Sequence, residues 1–88
     1  MEGHSVISPD VLARYAADAA AEVVGVHPKQ RRGARVNGAD VEVHLVVDYG
    51  ADIRQVATEV QRRVTEYLRQ MANVTPAAVN VVVDDVQR

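Results

Sequence analysis

The 88-residue chain contains no cysteine, no phenylalanine and no tryptophan. Without cysteine it can form no disulfide and no thiolate site, which suits a reducing compartment. Its only aromatic rings are Tyr15, Tyr49 and Tyr67, so a sheet that stacks unpaired bases on exposed rings is not expected. Its five glycines stand at positions 3, 25, 33, 38 and 50, and match neither a P-loop nor a dinucleotide fingerprint. No apolar run approaches the roughly 20 residues that span a bilayer. The opening "MEGHSVISPD" has neither the basic start nor the apolar stretch of a secretory signal. These absences lead to the expectation of a soluble cytoplasmic protein. At this length a single domain over residues 1–88 is expected, burying roughly 60–65% of the surface its unfolded form exposes.

The commonest residues are valine, alanine and arginine. In "ISPDVLARYAADAAAEVVGV", Ser8 suits an N-cap and Pro9 the first helical position, where its missing N–H costs nothing. Val11, Leu12, Tyr15, Ala16, Ala19 and Val23 recur at helical spacing, and Gly25 supplies a left-handed stop. The spacing predicts a helix over about residues 9–24. Asn37-Gly38 between β-type residues then signals a hairpin. A two-residue turn there sets Val36 against Ala39 and Arg35 against Asp40, and places His44 opposite Arg31. Alternation sends Ala34, Val36, Val41, Val43, Leu45 and Val47 to one face and Arg35, Asp40, Glu42, His44, Val46 and Asp48 to the other.

A second helix follows Gly50, with Asp52 and Gln55 at capping-box spacing and an apolar stripe from Ile53 through Val56, Val60, Val64 and Leu68 to Met71. Asn73 and Pro76 end it. "PAAVNVVVDDVQR" closes the chain as a strand, with Val79, Val81 and Val83 inward and Asn80, Val82 and Asp84 outward. The expected fold is an α+β two-layer sandwich in the order α-β-β-α-β. Its sheet has three strands, is mixed, and carries both helices on one face, because a strand–helix–strand crossover makes its two strands parallel.

The motifs in this order also carry a resemblance. "GV" at Gly25-Val26, "VEVHLVVDYG", "IRQVATEVQRRVTEYL" and "VTPAAVNVVVDDV" resemble the alkaline shock protein family of bacterial envelope-stress proteins, from about Val6 to Val86. The resemblance implies a non-enzymatic protein linked to envelope or general stress. It also implies a protein partner, in some members a small membrane-anchored one, and self-association into oligomers. It brings no catalytic motif and no cofactor.

The residues offer little chemistry of their own. His4, His27 and His44 lie on three segments without metal-ligand spacing, and Asp84-Asp85 are expected on opposite faces of a strand. No catalytic, cofactor or metal residue is therefore assigned, and the protein is not expected to be an enzyme. Two contact surfaces remain. One is the basic stretch "HPKQRRGAR", where Arg35 is expected to meet Asp40 and leaves Lys29, Arg31 and Arg32 for an acidic partner or an anionic surface. At about 1 kcal/mol each, those three would enrich the protein at an anionic leaflet about a hundredfold. The alternative function, an anionic-surface or nucleic-acid module using residues 29–35, rests on this stretch. Nucleic acid is disfavoured by the net charge of −2, and direct membrane insertion is not expected. The other surface is the uncovered sheet face, where His44, Val46, Asn80 and Val82 form a candidate self-association surface, with an unpaired edge strand beside it.

Overall fold

The computed structural model of the chain describes residues 7–27 and 33–88. Along these residues run α1 (Pro9–Ala21), β1 (Gly33–Asn37), β2 (Asp40–Asp48), α2 (Ile53–Ala72) and β3 (Ala78–Gln87). The order is the expected α-β-β-α-β. The sheet runs β1-β2-β3, antiparallel between the first pair and parallel between the second.

Local chemistry sets the helix ends. Ser8 sits in an extended conformation and its Oγ accepts a hydrogen bond from the Val11 N–H at 3.3 Å. Asp52 does the same for α2, accepting from the Gln55 N–H at 3.2 Å. At the far end of α2, Asn73 turns left-handed (φ 55°, ψ 38°), and the Val74 N–H reaches back to the Leu68 carbonyl at 3.2 Å. The Asn73 N–H returns to the Arg69 carbonyl at 3.0 Å, the five-to-one bond of the αL way of ending a helix. α1 stops at Ala21, three residues short of the expected end. The chain must turn early because Val26 bridges to Val47, the Gly25 carbonyl accepts from the Asp48 N–H at 2.8 Å, and Gly25 itself takes φ +100°.

The hairpin register differs from expectation. Asn37 pairs with Asp40, Val36 with Val41, Arg35 with Glu42 and Gly33 with His44. Arg35 thus lies across from Glu42, not Asp40, and His44 across from Gly33, not Arg31. The turn is centred on Gly38-Ala39, and of these two only Gly38 has positive φ (+66°). That is the pattern of a type II′ turn, which takes glycine first, whereas a turn centred on Asn37-Gly38 would need positive φ at both. The slip amounts to two positions, an even number, so every side chain keeps its expected face.

Both helices cover one face of this sheet. Ala16 and Ala20 of α1, Val43, Leu45 and Val47 of β2, and Val60, Val64 and Leu68 of α2 form the sealed centre of the core. Tyr15 and Tyr67 close it at the side, edge to face with ring centroids 5.8 Å apart. Ile53 and Met71, at the two ends of the α2 stripe, are about half exposed (45% and 49%).

Candidate functional site

The uncovered face is built by alternate residues of β2 and β3. Parallel register sets Glu42 beside Asn80 and His44 beside Val82. Between Leu45 and Val46 the register shifts: Leu45 pairs with Val83, but Val46 pairs with Asp85. Asp84 is therefore an extra residue, a β-bulge. Asp85 follows Val46 onto the uncovered face, while Asp84 reaches His44 on that same face. The expectation that adjacent aspartates oppose each other fails here because a bulge breaks the two-residue period.

Three of the sequence-predicted contact residues, His44, Asn80 and Val82, do come together on this face. Val46 belongs to it by alternation but is buried at 9% exposure, so it offers no apolar spot. It lies on the central strand, with β3 on one side and residues 26–27 on the other, where the His27 N–H donates to the Val46 carbonyl at 2.8 Å. Val82 remains, 37% exposed. Lys29, Arg31 and Arg32 lie outside the described residues.

The chemistry on the face centres on His44. Its Nε2 stands 2.5 Å from Glu42 Oε2, and its Nδ1 stands 3.1 and 3.2 Å from the two oxygens of Asp84. Hydrogen bonding to Glu42 first, and to Asp84 second, raises the pKa of the ring above its ordinary 6.5. Glu42 and His44, two apart on a strand, could have been paired from the sequence alone. Asp84 could not, because it enters through the bulge. The two carboxylates take opposite ring nitrogens, so the trio does not converge on one point. Among the described residues no group of three or more His, Asp or Glu side chains could hold a metal ion. A second imidazole, His27, bonds Asp48 Oδ1 through Nδ1 at 3.0 Å.

The edge beside this face is partly closed. Gln61 Nε2 of α2 donates to the Val79 carbonyl at 3.0 Å, and the Val86 N–H donates to Asp85 Oδ1 at 2.8 Å. Backbone groups spent on side chains of the same chain cannot pair with an added strand, which is one way natural edges are blunted.

Sequence reasoning missed a third surface, at the end of the molecule where β2 leads into α2. Of six large apolar side chains exposed among the described residues, Val24 (92%), Tyr49 (64%), Ile53 and Val86 gather there. Backbone contacts fix the grouping. Gly25, next to Val24, bonds Asp48; Tyr49 bonds Gln87, the neighbour of Val86; and Ile53 opens α2 four residues later. Arg88 lies 4.6 Å above the Tyr49 ring. A groove of about 420 Å³ runs beside Val24, floored by Val23, Gly25 and Val56 and rimmed by Asp52, Glu59 and Arg63. On the rim, hydrogen bonding from Arg62 holds the Glu59 carboxyl below its ordinary pKa, and Arg63 adds to the effect.

Comparison with known proteins adds a family and a fold. A family model for the alkaline shock protein 23 family, cell envelope-related function, matches residues 32–88, nearly two thirds of the chain. No curated protein matches it. Among solved structures, a histidine-to-alanine variant of the MamM CTD is 20% identical, with a TM-score of 0.54, over 89% of this chain and 98% of that one. An aspartate-to-histidine variant of the MamM CTD, in a copper form, is 20% identical over 86% of this chain and 95% of that one, with a TM-score of 0.52. At this identity the likeness is one of fold.

Proposed function

The chain belongs to the alkaline shock protein family, whose function is cell envelope-related, and from that premise we propose that it works by binding another protein and not by catalysis. The partner in this reading is a second copy of the chain, met through the end that carries Val24, Tyr49, Ile53 and Val86. The observation that carries it is that four exposed apolar side chains lie at one end of the molecule, with Val24 beside the groove. Apolar surface collected in one place marks a protein-binding site far better than the same residues scattered singly.

The groove supports a like partner. Val24 projects directly beside a groove floored by its neighbours Val23 and Gly25. A two-fold axis near this turn sets each copy's Val24 against the other copy's groove, the self-complementary arrangement of an isologous dimer. No helix among the described residues is long and apolar enough to cross a membrane. The route to the envelope in this reading is a membrane-anchored protein that holds the dimer.

Light scattering over a concentration series tests the proposal. The wild type is expected to rise toward twice its protomer mass, and Val24→Asp with Ile53→Asp to stay at the protomer mass with an unchanged circular dichroism spectrum. A wild type that remains a monomer at the highest concentration removes the second copy as the partner.

A further inference from the structure

The two nitrogens of His44 each face a carboxylate, and that arrangement has a chemical requirement. A neutral imidazole donates from one nitrogen and accepts at the other. With Glu42 Oε2 at one nitrogen and Asp84 at the other, a neutral ring would set a lone pair against a carboxylate. Only the imidazolium, donor at both nitrogens, serves both partners.

The partners differ in what they hold. Glu42 belongs to the same strand as His44, whereas Asp84 is the bulge residue of β3 and has no register partner on β2. The bond to Asp84 is thus a side-chain tie across the β2–β3 seam, at the point where the ladder is interrupted. Beyond it, β3 continues only through the pairs Val46–Asp85, Val47–Val86 and Asp48–Gln87, with the Tyr49 N–H donating to the Gln87 carbonyl. Val86, in this stretch, is 41% exposed. Local openings are drawn from such thinly packed segments.

We propose that the Glu42–His44–Asp84 bridge is a protonation latch: the doubly protonated ring ties the β3 bulge to β2, and loss of its proton loosens residues 84–87. The shorter contact, to Glu42, keeps the remaining ring proton, and the tie to Asp84 is the one given up. Among the described residues, the groups that face the ring are few. Glu42 comes from β2, and Asn80, Val82, Asp84 and Asp85 from β3. From β1 come Gly33 opposite the ring and Arg35 opposite Glu42, and both helices lie on the other side of the sheet. The charge change on His44 therefore acts first on Glu42 and Asp84, and a neutral ring leaves these two carboxylates without their shared cation.

Two readouts on the full chain test the latch together. The first is the titration midpoint of His44, from its ring carbon and proton shifts. The second is amide exchange at Tyr49 and at residues 85–87, expressed as protection relative to the unstructured chain across pH 6–9. Protection at these amides is expected to fall as His44 titrates. The fall should be about tenfold for each unit by which the wild-type midpoint exceeds that of Asp84→Asn, while Val60 and Val64 in the core of α2 remain more protected than residues 85–87 throughout. His44→Gln should remove the pH dependence, and Asp84→Asn, which keeps the ring, should lower the midpoint. Flat protection at 85–87 through the titration, or the same slope in His44→Gln, overturns the proposal. So does a midpoint at or below 6.5 in the wild type.

Discussion

Gly25 lies so close to Val56 that a Cβ built on it would stand 2.7 Å from Val56 Cγ2. Val56 is buried at the start of α2 and cannot easily yield, and Gly25 also holds φ +100°. Gly25→Ala therefore meets a steric and a conformational penalty together. A loss of about 2–4 kcal/mol is expected in urea unfolding, with the midpoint lowered and the slope unchanged.

Val46 and Val82 share a face but should respond differently to charge. Val46→Lys places an ammonium where the native side chain is 9% exposed, and should cost about 2 kcal/mol or more in the same experiment. Val82→Lys, on an exposed position of β3, should change stability by no more than about 0.5 kcal/mol. Equal effects would mean that Val46 is as open as alternation alone suggests.

The pH dependence of stability has a definite sign. The folded state holds the His44 proton more tightly than the unfolded state does, because Glu42 and Asp84 raise its pKa from 6.5. The stabilisation is then complete below about 6.5, where both states are protonated, and is lost as pH rises through the folded value. Urea midpoints are expected to fall on going from mildly acidic to mildly alkaline buffer. In His44→Gln that part of the slope should vanish.

Asp52 closes the start of α2 through the Gln55 N–H. Asp52→Ala leaves that donor to water and should cost about 1 kcal/mol by thermal or urea unfolding. Asp52→Ser should recover most of the loss, which separates a cap from a general need for charge on the groove rim.

Most of the fold was legible because its signals are local. Ser8-Pro9, Asp52 with Gln55, and Asn73 each announce a helix end within a few residues, and the alternation of valines sorts the sheet faces. Register is not local in this way. Whether Asn37 or Gly38 takes the first central position of the turn depends on which pairing the rest of β2 prefers, and two registers with identical faces cannot be told apart by hydrophobic pattern. The bulge at Asp84 was hidden for the same reason, and with it the tie to His44. The exposed end was missed because Ile53 lies on the apolar stripe of α2, and a stripe does not show where its cover stops.

The bonds that Gln61 and Asp85 make to the backbone of β3 also bear on how large an assembly can become. A sheet with an open edge can recruit copies one after another, each new strand offering the next, and such growth has no natural end. Here two of the groups that recruitment would need are already engaged, and a bulge interrupts the strand between them. Contact through a single end, by contrast, is used up once two copies have met. The β3 edge is thereby disposed against strand-by-strand growth, and the scattered mass of the proposed dimer should level off with concentration instead of climbing.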